Sequence, residues 1–225
     1  MNRLAFITQL FLLVPVSAGA TTQLLKYDAQ ISWLKAGELK ISIDKTIAKF
    51  RTRGSVTTSR LIRPFFNWRG SFEGAGHIHD AKPITTYYVL AQTDRKGTSR
   101  REIQDKILVV EDVDGTTNVS EAPIGTDIIS AIFVSEGCYQ GQRVHDGEDS
   151  YTIRLLHSAK TTLQQATPYY SGQTRHCVYS TSLNNRKTRD VEVWSAPVGG
   201  IPTAVRIQVE IPRAPDGVLR LRTGE

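Results

Sequence analysis

The chain has 225 residues, with 28 Lys or Arg against 22 Asp or Glu and a formal net charge of +6. These charges are scattered along the chain, whereas a nucleic-acid-binding protein presents a clustered basic face, so we expect no nucleic-acid partner. The only two cysteines, Cys138 and Cys177, do not form the C-x-x-C pair of a thiol oxidoreductase.

The N-terminus has the pattern of a secretory signal peptide. A short charged region at 2–3 precedes an apolar run at 4–16 and a small-residue cleavage site at 18–20. The run is shorter than the about 20 apolar residues that a transmembrane helix needs. We therefore predict a cleaved signal peptide at 1–20, a periplasmic protein without a transmembrane segment, and one β domain at 21–225.

The mature chain alternates between apolar and polar residues in short runs. Residues 27–33 and 39–43 show this period of two, which is typical of strands with one dry face. Asp-Gly pairs at 114–115, 146–147 and 216–217 favour hairpin turns. About a dozen strands with such short connections predict a mainly β fold, a single large curved antiparallel sheet in the form of an open barrel or β-spiral.

One short helix is predicted within residues 125–138. Thr126 or Asp127 can cap its first turn, and four residues then recur on one apolar side, namely Ile128, Ile129, Ile132 and Phe133. At about ten residues such a helix is unstable alone in water. We therefore expect this apolar side to lie over the sheet.

The two cysteines predict a disulfide. An exported chain with one cysteine pair is most simply explained by a Cys138–Cys177 bridge. In the chain-entropy treatment, closing a loop of this size stabilises the fold by about 4 kcal/mol.

Candidate catalytic and metal-binding residues are few. His77 and His79 would share one side of a strand beside Asp80, but a third zinc ligand at a recognisable spacing is missing. Ser130 lies outside any G-x-S-x-G motif, and helix capping accounts for Asp127. We predict no catalytic residue, cofactor or metal site.

The predicted architecture favours ligand binding. One short helix is a small cover for a large sheet, and an incompletely covered curved sheet leaves an apolar hollow suited to lipids or peptides. Three tryptophans are candidate walls of this groove, Trp33, Trp68 and Trp194.

Several segments resemble a family of periplasmic proteins from Gram-negative bacteria, catalogued as domain of unknown function 3108. The similar segments are YDAQISWLKAGELKISI, GTDIISAIF, HDGEDSYTIRL, YYSGQTRHCVY and VEVWSAPVGGIPTAVRIQV, which together span about residues 27–223. The resemblance implies a periplasmic location but no defined activity. By a looser analogy, such a chain is similar to periplasmic lipoprotein carriers and other envelope proteins built on open curved sheets.

Three functions remain open from the sequence. The leading hypothesis is a non-catalytic envelope protein that binds a lipid, lipoprotein or envelope peptide on the concave apolar sheet. The second is a hydrolase of envelope glycans or lipids, with Asp127 or His145 as acid or base. The third is an interaction scaffold without a small ligand, whose sheet edges pair with a partner protein.

Overall fold

A computed structural model describes residues 20–64, 67–184, 186–211 and 215–224 of the chain. The predicted signal peptide lies outside these residues, apart from Ala20. The described residues form a mainly β structure with one short helix, as the alternating pattern predicts.

The strands are long in residues 21–93 and 150–209 and shorter in residues 98–145, which include the helix. Their bounds are β1 (Thr21–Ile31), β2 (Leu34–Lys45), β3 (Lys49–Thr58), β4 (Arg69–His79), β5 (Lys82–Thr93), β6 (Thr98–Gln104), β7 (Ile107–Glu111), β8 (Thr117–Glu121), β9 (Thr126–Asp127), β10 (Arg143–His145), β11 (Ser150–Leu163), β12 (Gly172–Leu183), β13 (Arg186–Val198), β14 (Ile201–Val209) and β15 (Gly217–Leu221). The helix is α1 (Ile128–Phe133).

These strands form one open sheet whose central strand is the first in sequence. The order is β8-β7-β6-β5-β4-β3-β2-β1-β15-β14-β13-β12-β11-β10-β9. The chain adds strands outward from β1 to β8, crosses to the opposite edge at β9, and returns inward to β15, which pairs with β1. The described sheet has fifteen strands, more than the predicted dozen, and the short strands β8 and β9 are among those not predicted.

One strand pair departs from the predicted antiparallel arrangement. Strands β9 and β10 are parallel, with Asp127 opposite His145. The helix and the residues after it form the crossover that a parallel connection requires. Gly125 permits the close approach of these strands, since its φ is +127° and a Cβ there would lie 2.7 Å from the Arg143 carbonyl oxygen.

The sheet curves until its β9 edge lies beside β5. Thr126 Oγ1 donates to the Pro83 carbonyl at 2.6 Å, and the Asp127 backbone N–H donates to Thr85 Oγ1 at 3.1 Å. These side-chain bonds replace a backbone ladder between β9 and β5. The sheet therefore remains open, but its β9 edge is held against β5 by these side-chain bonds.

The sheet has two distinct faces. We call the face that α1 contacts the helix-covered face; on β13 it presents Val191 and Val193, which are each 4 % exposed. Successive strand residues point to opposite sides, so Glu192 and Trp194 lie on the other side, which we call the outer face. The main core lies on the helix-covered face, where the Phe133 ring packs edge-on against Tyr27 at 5.5 Å.

The helix is shorter than predicted and its buried side differs. Asp127 precedes the six residues of α1, and the most buried helical residues are Ser130, Ala131 and Phe133, while the three isoleucines are partly buried around them. The helix contacts both β5 and β14, which lie far apart in the strand order. Within the described ranges, no helix has the length and apolarity that a membrane crossing requires.

The predicted disulfide is present. Cys138 follows α1 and Cys177 lies in β12, with their Cα atoms 5.6 Å apart and a separation of 39 positions in sequence. Cys177 is fully buried in the core. The bridge thus joins the helical crossover to the middle of the sheet.

Candidate functional site

Asp127 is the residue that fixes the start of α1. Its Oδ1 accepts the backbone N–H of Ser130 at 2.8 Å, which is the N-cap bond predicted from the sequence. Its Oδ2 accepts the Thr85 hydroxyl at 2.6 Å. One carboxylate therefore caps the helix and also holds it against β5.

A polar cluster surrounds this carboxylate inside the protein. It consists of Thr52, Thr85, Asp127, Ser130 and His145, of which Thr52, Asp127 and Ser130 have no exposed surface. Thr52 Oγ1 lies 3.5 Å from Ser130 Oγ. Space for the cluster comes from a glycine in β4, because a Cβ at Gly74 would lie 3.0 Å from both Asp127 Oδ2 and Thr52 Oγ1.

His145 completes the cluster from β10. It is 2 % exposed, its ring packs edge-on against Tyr88 at 5.4 Å, and its Nδ1 is buried without a hydrogen-bond partner. Burial lowers the pKa of His145 below its usual value, outweighing the opposite effect of the Asp127 and Asp146 carboxylates. The neutral imidazole is therefore the favoured form.

The geometry of the cluster favours a structural role over an acid–base role. The structure brings Asp127 and His145 together, as the hydrolase hypothesis requires. However, both Asp127 oxygens already accept hydrogen bonds, and Ser130 is fully buried with Thr52 as its hydroxyl neighbour. A nucleophile must reach both its base and the substrate, and these residues offer a substrate no accessible surface.

The helix also fills the hollow expected on the concave side of the sheet. The cavity between α1 and strands β11 to β13 has a volume of about 20 Å³ and is lined by residues that include Ile128, Ile132, Tyr179 and Val193. This volume accommodates about one water molecule. An acyl chain does not fit beneath the helix in this arrangement.

A large groove lies instead on the opposite side of β1 to β3. Its volume is about 640 Å³, and it is open to solvent. Leu24 points outward here and is 80 % exposed. The residues at 222–224, which follow β15, line it as well. We call this feature the outer groove.

The outer groove has a positively charged lining. Among its described residues four are basic and none is acidic, the basic ones being Lys26, Lys40, Arg53 and Arg222. Acidic side chains outside the lining pair with three of them: Lys40 Nζ lies 3.3 Å from Glu38, Arg53 Nε lies 3.8 Å from Glu73, and Arg222 Nε lies 3.3 Å from Asp28. The groove thus combines an exposed leucine with a basic lining whose charges are partly paired at its rim.

The structure places the three tryptophans apart from one another. Trp33 is 87 % exposed in the turn between β1 and β2, and Trp68 lies just before β4. Trp194 lies on the outer face of β13, where its ring stacks on His176 at 4.2 Å and Arg206 lies over it at 4.8 Å. The tryptophans line neither the helix-covered cavity nor the outer groove.

The histidine pair considered for zinc lies at the exposed end of β4. His77 and His79 are both exposed, and His79 Nε2 lies 3.5 Å from Asp80. In the part of the chain that the structure describes, no three His, Cys, Asp or Glu side chains are arranged to hold a metal ion.

The residues of the outer groove were not predicted from the sequence. One available signal was the pair Leu24-Leu25, because in an alternating strand one of two adjacent leucines must face outward. Leu25 is 5 % exposed and Leu24 is the outward one. Arg222 carries no such signal, since only the pairing of β15 with β1 brings it to the groove.

Comparisons of the chain with protein-family models, with curated proteins and with solved structures found no match.

Proposed function

We propose that the protein is an exported, non-catalytic component of the cell envelope that binds a single-chain anionic lipid in the outer groove. The observation that carries this proposal is the outer groove itself, with its exposed Leu24 and four basic lining residues. The envelope location rests on the predicted signal peptide and on the family resemblance.

The size and chemistry of the groove support a lipid of this class. Its volume of about 640 Å³ lies within the roughly 300–1,000 Å³ typical of small-molecule sites. Leu24 offers apolar surface to an acyl chain, while Lys26 and Lys40, directly opposite each other on β1 and β2, offer positive charge to a carboxylate head group. A neutral lipid would gain only the apolar part of this interaction.

The proposed lipid site differs from the site expected from the sequence. The concave side of the sheet holds α1, and the remaining cavity of about 20 Å³ is too small for a chain. The lipid is therefore assigned to the outer groove. The non-catalytic part of the proposal rests on the burial of Asp127 and the occupation of both its oxygens.

The proposal is tested with the mature chain and a dansylated fatty acid as fluorescent probe. We expect saturable binding, displaced by oleate at least about tenfold more effectively than by monoolein, which has the same chain and no charge. Leu24→Asp should weaken probe binding by about tenfold or more, because a carboxylate would replace apolar contact and repel the head group.

The matched control is Leu61→Asp, which changes another exposed leucine, 70 % exposed, outside the groove. It should bind the probe as the unmodified chain does. Absence of probe binding by the folded chain would contradict the proposal, and equal binding by the two variants would exclude the outer groove as the site.

A further inference from the structure

A second feature of the outer face points to a different ligand. Four residues lie directly opposite one another on adjacent strands and form a row across β13, β14, β15 and β1, in the order Trp194, Arg206, Arg220 and Asp28. The two arginines are thus nearest neighbours on β14 and β15. Like charges in directly opposite positions destabilise a sheet, so this pair needs an explanation.

Aromatic rings hold each guanidinium group in place. Arg206 lies over the Trp194 ring at 4.8 Å, and Arg220 lies over the Tyr169 ring at 5.6 Å. Stacking of this kind fixes the plane of a guanidinium group while leaving its N–H donors free. The pair is therefore preorganised.

Most of the donors of this pair have no acceptor among the residues that the structure describes. A guanidinium group has five N–H donors, and Arg206 uses Nη2 to donate to Gln208 Oε1 at 2.6 Å. The Nε atoms of Arg206 and Arg220 are both buried without a hydrogen-bond partner. Burial, and then the neighbouring Arg220, lower the pKa of Arg206, and the Glu192 carboxylate opposes them only in part.

The nearest acidic side chains are engaged elsewhere. Asp28 accepts the Tyr169 hydroxyl at 2.9 Å and lies 2.6 Å from Lys35 Nζ. Glu192 lies 2.7 Å from His176 Nε2. No described carboxylate lies within 4.0 Å of the Arg206 or Arg220 guanidinium nitrogens, and the two side chains start from directly opposite positions on the outer face.

We propose that Arg206 and Arg220 form a binding site for a phosphate group. Two adjacent guanidinium groups supply two positive charges and bidentate donors, which match the charge of about −1.5 to −2 and the several acceptor oxygens of a phosphate monoester at neutral pH. A carboxylate supplies half that charge. The site is separate from the outer groove on β1 to β3, and it does not depend on lipid binding there.

The test is a calorimetric titration of the mature chain with inorganic phosphate, compared with sodium chloride at equal ionic strength. We expect saturable binding of phosphate that both Arg206→Gln and Arg220→Gln weaken at least tenfold. Arg220→Lys should also weaken it, because a lysine keeps the charge but loses the fork. The matched control is Arg154→Gln, which removes an exposed arginine of β11 and should leave phosphate binding unchanged.

A spectroscopic measurement on the unmodified chain does not depend on how the variants fold. Phosphate should shift the NMR resonance of the Trp194 indole N–H, identified by its loss in Trp194→Phe, and leave that of Trp33 in place. No saturable phosphate binding, or phosphate binding that both glutamine variants retain, would overturn the proposal. So would a shift confined to Trp33.

Sedimentation with phosphatidylcholine vesicles, with and without phosphatidic acid, distinguishes the source of the phosphate. Sedimentation that requires phosphatidic acid and is lost in Arg220→Gln assigns a lipid head group, whereas binding of inorganic phosphate without sedimentation assigns a soluble phosphate ester. Leu24→Asp should leave phosphate binding intact, so failure of the groove and failure of this site are separable.

Discussion

The two faces of the sheet satisfy their polar groups in different ways, and β1 shows this within two adjacent residues. Tyr27 points to the helix-covered face, where it is fully buried and donates its hydroxyl to the Ala204 carbonyl at 2.6 Å. Asp28 points to the outer face, where Lys35 and Tyr169 cover its carboxylate. Burial raises the pKa of Asp28, but the bonds from these two residues and the charge of Arg222 outweigh it and lower the pKa overall.

The difference indicates that one face of the sheet stabilises the fold and that the other is available for binding. On the helix-covered face, both Asp127 oxygens accept hydrogen bonds, and the cavity beneath α1 holds no more than about one water. On the outer face, a large groove has a basic lining, and the Nε atoms of the arginine pair are buried without a hydrogen-bond partner. Substitutions on the first face should therefore change the free energy of unfolding, and those on the second should change binding.

The largest expected effect is removal of the disulfide on the helix-covered face. Replacing both Cys138 and Cys177 with alanine should lower the free energy of unfolding by about 4 kcal/mol, because the bridge restricts a long loop in the unfolded chain. Urea unfolding followed by circular dichroism measures this. The unmodified chain under reducing conditions should match the variant, while a loss below about 1 kcal/mol would show that the bridge contributes little.

The next largest effect should come from Asp127→Ala. The substitution leaves the Ser130 N–H and the Thr85 hydroxyl without their acceptor in a buried site, which costs about 3 kcal/mol in total. Asp44→Ala is the matched control on β2, where the half-buried carboxylate accepts the Thr22 hydroxyl near the surface, and should change the free energy of unfolding by no more than about 1 kcal/mol. Equal effects in the two variants would contradict the distinction between the faces.

Local patterns were sufficient to predict much of the fold. The alternation of apolar and polar residues indicates strands because one face of the sheet is dry, and the cap at Asp127 is a local bond between residues three apart. The disulfide follows from the cysteine count. Each of these features depends on neighbours in sequence or on composition.

The remaining features depend on contacts between distant parts of the chain. Asp127 meets Thr85 only because the sheet curves until β9 reaches β5. Arg206 and Arg220 become neighbours only through the register of β14 with β15. Period-2 alternation does not specify strand order, so neither the outer groove nor the arginine pair could be predicted from it.

The smallest expected effect is a pH dependence of stability caused by His145. Because burial lowers its pKa in the folded state, the unfolded chain binds more protons than the folded chain between the folded pKa and the ordinary value of about 6.5. Stability should be constant above that range and fall as pH decreases through it. The Tm of the unmodified chain should therefore decrease more between pH 8 and pH 5.5 than that of His145→Gln, which has no titrating group at this position.

Asp28 leaves this comparison unaffected, because its lowered pKa confines its contribution to more acidic solutions. Parallel Tm profiles for the two proteins would show that the buried imidazole does not limit stability in acid, and that the helix-covered face tolerates a charge at this position.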